Sequence, residues 1–219
     1  MLKITQILPE VNMFKYVVFD VDGTMIDTEE AVMYAYQSVI FKKYGRYFTE
    51  EELLKGYGVP TPQSLQRYGF TDIESAVKDY YNYLVEGFKL CKAFDGINDL
   101  LDNLKDMGLS LGIVTSRCNY EIKIDNCLQN LLNKFDAVIC SDDTQKHKPD
   151  AEPLLKVMER LGAVPEETIY IGDTLFDRQC AKNSGVKFAL ALWGSNNADN
   201  IDADYFLKSP SELLELIKA

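Results

Sequence analysis

The sequence predicts an α/β protein, a parallel sheet interrupted once by a helical insertion, and three observations carry that expectation. Apolar, β-prone runs recur at Tyr16–Phe19 and at residues 109–115, 137–140, 168–171 and 187–192. Stretches of helical pattern separate most of these runs, as the crossovers between parallel strands require. The interval between the first two runs, residues 28–91, is too long for a simple crossover and is rich in helix formers and tyrosines.

Tyr16-Val17-Val18-Phe19 is continuously apolar, as expected of a strand buried on both faces, and it ends abruptly at Asp20. In open sheets of this kind ligands bind beyond the carboxyl ends of the strands, so the residues that follow each run are the candidates for function. The insertion begins with a helix over Glu29–Tyr44, whose Val32, Tyr36, Val39 and Ile40 recur at helical spacing and which Gly45 closes. Gly56-Tyr57-Gly58-Val59-Pro60 breaks the insertion, and a second helix over residues 73–90 carries Ile73, Val77, Tyr80, Tyr81, Leu84 and Phe88 as its apolar stripe. The tyrosines read as packing. Two crossings, near residues 25–28 and 92–96, join insertion to sheet and suggest a hinge, with Gly96 as a flexible point.

Composition narrows the chemistry. Among 219 residues, 34 acidic and 23 basic side chains leave a net charge of −11, a surface that repels nucleic-acid phosphates and anionic membranes and favours small-molecule partners. Hydrophobic residues make up 47%, enough for a sizeable core. Cys91, Cys118, Cys127, Cys140 and Cys180 are odd in number and widely spaced, and with a single histidine they form no zinc pattern; they read as reduced thiols. Residues 1–12, with Lys3, Pro9 and Glu10, lack the layout of a signal peptide, and no apolar stretch reaches membrane-spanning length. The expected compartment is the cytoplasm, and the expected assembly is a monomer or homodimer.

Four strand exits carry polar chemistry. Asp20 and Asp22 leave the first strand two residues apart, followed by Gly23 for a tight turn and Thr24 for a hydroxyl. Thr115-Ser116-Arg117 follows the second strand and offers hydroxyl and backbone donors to phosphate oxygens. After the third, Lys148 precedes Pro149, which holds it extended and able to aim its ammonium at carboxylates. The fourth leads into Gly172-Asp173-Thr174-Leu175-Phe176-Asp177, placing Asp173 at the exit, where it suits Mg²⁺.

In order, spacing and strand placement these elements resemble the four motifs of the haloacid dehalogenase superfamily, and the resemblance spans nearly the whole chain. The fold it implies is a Rossmann-like parallel sheet core of residues 1–27 and 92–219 with an inserted α-helical cap domain of residues 28–91. Met25-Ile26-Asp27-Thr28 and the position of the insertion are similar to the phosphoglycolate phosphatase and β-phosphoglucomutase branch.

The resemblance implies a phosphatase mechanism. Asp20 is expected to attack phosphorus, and Asp22 to protonate the leaving oxygen and then activate water. Mg²⁺ is the implied cofactor, held by the Asp20 and Asp173 side chains, the Asp22 main-chain carbonyl and Asp177. Lys148 is expected to offset negative charge, while Thr115 and Ser116 bind phosphoryl oxygens. An acid at Asp22 argues against dehalogenation, because a halide leaves without a proton.

Substrate choice in this branch falls to the cap. Lys42, Lys43 and Arg46 close its first helix, either to present cation, chiefly Arg46, to a substrate carboxylate or second phosphate, or as a solvated helix end. Gly56-x-Gly58-x-Pro60 resembles the specificity loop of phosphoglycolate phosphatase-like caps and favours a phosphoglycolate-like substrate. The alternative, a β-phosphoglucomutase-like phosphomutase, normally carries a histidine in the first cap helix. None occurs there, and His147, beside Lys148, reads as a loop imidazole.

Overall fold

The computed structural model describes residues 14–56 and 58–218, so the reading of residues 1–12 lies outside the described residues. In chain order the strands are β1 (Tyr16–Phe19), β2 (Ile26–Asp27), β3 (Lys92–Ala93), β4 (Ser110–Val114), β5 (Ala137–Ile139), β6 (Thr168–Gly172), β7 (Lys187–Ala191) and β8 (Tyr205–Leu207). The helices are α1 (Glu29–Tyr44), α2 (Glu50–Leu54), α3 (Thr61–Arg67), α4 (Ile73–Phe88), α5 (Ile97–Asp106), α6 (Asn119–Ile124), α7 (Asn126–Gln129), α8 (Glu152–Leu161), α9 (Leu175–Ser184) and α10 (Pro210–Lys218).

Six strands form one parallel sheet in the order β5-β4-β1-β6-β7-β8. Strand β1 is central, with Phe19 level with Ile113 of β4 on one side and Ile171 of β6 on the other. Chain order reverses direction across the sheet at β1, which opens a crevice at its carboxyl end. The alternation of side chains divides the core. Val17 and Phe19 pack under α5 and α10 with Leu100, Leu104 and Leu213, whereas Val18 faces α8 and α9 with Leu154, Val157 and Ala181. Each such side chain, fully buried, stabilises the fold by roughly 1.5–3 kcal/mol, so the position of Asp20 is held by packing on both faces of its strand.

The cap helices bury a core of their own. Ala31, Ala35, Val39 and Ile40 of α1 meet Ala76, Tyr80, Leu84 and Phe88 of α4, and the Tyr36 ring lies against Tyr80 at a tilt of 30° with ring centroids 4.5 Å apart. Helix α1 ends at Gly45, whose φ of 67° is the left-handed conformation that a β-carbon disfavours. Helix α4 starts at Asp72, whose carboxylate accepts from the Ser75 N–H. It stops at Phe88, two residues short of the sequence expectation. The two crossings pair with each other as the antiparallel ribbon β2–β3, with Ile26 opposite Ala93 and Asp27 opposite Lys92.

Strand β8 has no counterpart in the sequence expectation. It is three residues long, sits at the sheet edge and exposes Phe206, so its identity as a strand depends on the hydrogen bonds it makes to β7. No helix among the described residues is long and apolar enough to cross a membrane.

Candidate active site

The exits of β1, β4 and β6 lie side by side because their registers are level, and this brings the motif residues together. The Asp20 N–H donates to the Ile171 carbonyl at 2.9 Å, extending the β1–β6 ladder by one residue and fixing where the Asp20 side chain begins. The Lys148 ammonium lies 2.9 Å from Asp20 Oδ1 and 2.7 Å from Asp177 Oδ1, all three groups being buried. The Lys148–Pro149 peptide is cis. Thr24 Oγ1 donates to Asp173 Oδ1 at 3.1 Å, and Ser195 Oγ donates to the Asp173 carbonyl at 2.6 Å.

Oxygens of Asp20, Asp173 and Asp177 lie within 4.8 Å of one another in a buried cluster. Three carboxylates there face one ammonium. Burial, with Asp177 and Asp22 adding to it, pushes the Asp20 carboxyl up to about 7 against the pull of Lys148. Burial and the charges of Asp177 and Asp20 push Asp173 up as well. An all-oxygen cluster with excess negative charge fits a hard divalent cation. Asp20 and Asp173 are the freer donors, since Asp177 already accepts from Tyr170, Lys148 and Thr174.

Asp22 turns the other way. Its carboxylate is paired with the Arg117 guanidinium, with Nε at 2.9 Å from Oδ2 and Nη2 at 2.8 Å from Oδ1, and accepts from Thr28 Oγ1 at 2.6 Å. Burial opposes ionisation of Asp22, but Arg117 and Thr28 outweigh it and hold the carboxyl below its ordinary value. Arg117 also donates through Nη1 to Asp125 at 2.7 Å, and its guanidinium lies over the Phe88 ring of the cap. Sequence reasoning missed this role, although the arginine directly follows a strand-exit motif in an acidic chain, which is a usable signal.

A cavity of about 70 Å³ lies between core and cap, lined from the core by Asp20, Asp22, Ser116, Arg117, Glu121 and Lys148. Hydrogen bonds close the cap over it, among them Ser116 Oγ to the Gly58 carbonyl at 3.1 Å and Thr61 Oγ1 to Glu121 Oε1 at 2.5 Å. Thr115 is buried at the β4 exit, its Oγ1 accepting from the Arg117 N–H at 3.2 Å. On the far side Trp193 Nε1 donates to the Thr24 carbonyl at 2.9 Å, bracing the Gly23–Thr24 turn, and a β-carbon on Gly194 would collide with the Gly23 carbonyl.

Arg46, expected at the substrate, is not brought together with the other site residues. Arg46 is exposed, does not line the cavity, and pairs with Glu52 at 2.8 and 3.0 Å while stacking on Phe48. Lys42 is likewise taken by Asp79, and Lys43 by the Gly69 carbonyl and the Phe70 ring. These cations follow the buried stripe of α1 on its outer turn, so they serve the helix end and its neighbours. Glu121 had no sequence signal as a site residue: its carboxylate accepts from the Cys118 N–H at 2.7 Å, the ordinary capping position of a helix start.

Residues 17–191 match the family model of the haloacid dehalogenase-like hydrolases. The chain is 32% identical to pyrophosphatase PpaX of Halalkalibacterium halodurans over 92% of this chain and 95% of that protein. It is 30% identical to pyrophosphatase PpaX of Bacillus velezensis, over 91% and 94% respectively. The solved structure of a "putative phosphoglycolate phosphatase" from Lactobacillus plantarum superposes with a TM-score of 0.83 at 28% identity, covering 93% of this chain and 99% of that one.

Proposed function

Because the chain belongs to the haloacid dehalogenase-like hydrolases, we propose that it is a Mg²⁺-dependent phosphatase that hydrolyses a small phosphate monoester through an aspartyl-phosphate intermediate. The observation that carries this reading is the division at the end of β1. Asp20 faces Lys148 and the carboxylate cluster, and Asp22, two residues on, faces the cavity wall and Arg117.

In the first step an Asp20 carboxylate oxygen bonds to phosphorus as the bond from phosphorus to the leaving oxygen breaks, and Asp22 gives that oxygen a proton. In the second, water attacks the phosphorus of the aspartyl phosphate and passes a proton to Asp22, releasing inorganic phosphate and restoring Asp20. Arg117 keeps Asp22 ionised, the form that accepts the proton from water. To serve as the acid in the first step, Asp22 has to loosen its hold on Arg117 and take up a proton. Lys148, held between Asp20 and Asp177, offsets charge on the nucleophile and the phosphoryl group. Asp20, Asp173 and Asp177 would hold Mg²⁺, which when bound would supply positive charge to let a phosphate dianion approach three carboxylates.

The family names of the relatives, pyrophosphatase and phosphoglycolate phosphatase, put small phosphorylated acids among the candidate substrates. The partner in this reading is the small substrate alone. The compartment it assumes is the cytoplasm, where five unpaired thiols remain reduced. Phosphate release from p-nitrophenyl phosphate, with and without Mg²⁺, tests the proposal. Asp20→Asn is expected to abolish turnover, and near-normal activity in that variant would overturn the assignment.

A further inference from the structure

The cap-side wall of the cavity carries a chemical pattern that the phosphatase reading leaves unused. Among the described residues lining the cavity the cations are Arg117 and Lys148, and each is committed to two fixed carboxylates, Arg117 to Asp22 and Asp125, Lys148 to Asp20 and Asp177. The cap contributes none to this lining. It contributes apolar surface from Val32, Leu84 and Phe88 and hydroxyl-bearing side chains from Tyr36, Tyr80 and Thr61. From the core, Glu121 also lines the cavity, a carboxylate only 4% exposed, anchored by Thr61 Oγ1 and the Cys118 N–H.

A carboxylate has about four acceptor positions, so those two bonds leave this cavity-lining residue with acceptor capacity to spare. Burial pushes the Glu121 carboxyl up against the pull of its Thr61 and Cys118 donors, and Tyr36 and Tyr80 line the same cavity with hydroxyls of their own. Such a wall has acceptors and neutral donors for an alcohol. For a second anionic group it has the acids Glu121 and Asp22, while Lys148 is paired with Asp20 and Asp177, and Arg117 keeps buried Asp125 even when Asp22 takes up a proton.

We propose that Glu121 is the specificity-determining residue for the leaving group: it accepts a hydrogen bond from a hydroxyl of a small uncharged polyol or sugar, and it turns away esters whose leaving group carries a second anion. This rests on the phosphatase reading and departs from what the names of the relatives suggest, since pyrophosphate leaves as phosphate and phosphoglycolate as a carboxylate-bearing alcohol. A buried acceptor built to meet a substrate hydroxyl discriminates strongly because a partner lacking it leaves the acceptor unpaired.

The test measures kcat/KM with Mg²⁺ for glycerol 3-phosphate, erythritol 4-phosphate and glucose 6-phosphate against phosphoglycolate and pyrophosphate, with p-nitrophenyl phosphate as a general control. The best of the three neutral-alcohol esters is expected to exceed both acid-bearing substrates by about tenfold or more. Glu121→Gln is expected to narrow that ratio by about tenfold, because glutamine offers a donor to an anion and withdraws a charge. Loosening of the cap through loss of the Thr61 bond lowers all substrates together and leaves the ratio alone. Preference for phosphoglycolate or pyrophosphate, turnover of p-nitrophenyl phosphate with none of the neutral-alcohol esters, or an unchanged ratio in Glu121→Gln overturns the proposal. If the variant does not fold, the wild-type ratio decides. No phosphate from any substrate, the control included, removes the phosphatase reading instead.

Discussion

Replacing Arg117 with methionine removes a guanidinium while keeping much of the side-chain length, and the structure sets the cost. Arg117 is 5% exposed and bridges Asp22 and Asp125, the latter fully buried. In the variant Asp125 retains only the N–H groups of Cys127 and Leu128, at 2.8 and 3.1 Å, and its charge has no counterion in contact. Removing one partner of a buried pair costs about 3–5 kcal/mol, which for a chain of this size lowers the melting temperature by on the order of 10 °C. Urea unfolding followed by the fluorescence of Trp193, the sole tryptophan, reports the loss, since its indole is bonded to the Thr24 carbonyl beside the site. Adding Asp125→Asn to the same chain removes the stranded charge and is expected to recover about 1–2 kcal/mol. The variant also frees Asp22 from the group that lowers its pKa. In the wild type that lowering adds stability above the ordinary carboxylate range, which is lost as pH falls through the depressed folded value. The acid limb of the pH–rate profile should therefore move to higher pH in Arg117→Met. A stability loss below about 1 kcal/mol, or a double variant no more stable than the single one, would refute the bridge as described.

Three further outcomes are expected. Asp20, pushed up to about 7, and Asp173, pushed in the same direction, hold protons in the folded state that the unfolded chain gives up near pH 4. Metal-free protein should then lose stability as pH rises from about 4 to about 7, and Mg²⁺ should raise the melting temperature more at pH 8 than at pH 5.5, because protons compete for its ligands. An equal or larger Mg²⁺ shift at the lower pH would count against the cluster as a metal site. Gly194→Ala forces a β-carbon into the Gly23 carbonyl and should cost about a hundredfold in kcat through displacement of the turn that follows Asp22; wild-type kcat would show that the loop yields without cost. Arg46→Ala should leave kcat/KM within about twofold, its partner being Glu52 on the exposed surface of the cap, whereas a tenfold rise in KM would return Arg46 to the substrate.

What the sequence determined by itself was local in origin. Val17, Val18 and Phe19 are apolar without interruption, so the strand could be placed and Asp20 recognised at its exit, and the same reasoning located Thr115, Lys148 and Asp173. Periods of two and 3.6 residues, and glycines where helices stop, are properties of contiguous chain and need no partner to be read. Strand β8 was not legible for the converse reason, being three residues whose regularity comes from β7.

What only the tertiary structure decided lies in pairs distant along the chain. Arg117 meets Asp22 across 95 positions, Thr61 meets Glu121 across 60, and Gly194 has to be glycine because Gly23 lies against it. Arg46 shows the same limit from the other side, since its charge could be counted in the sequence but the direction it faces depends on how α1 packs. Charge and hydrogen-bonding capacity belong to a residue, whereas burial, and with it the strength and target of those bonds, belongs to the packed fold. For that reason the acids that follow β1 could be placed from their own strand, and the cavity between cap and core emerged only once the cap had folded against the core.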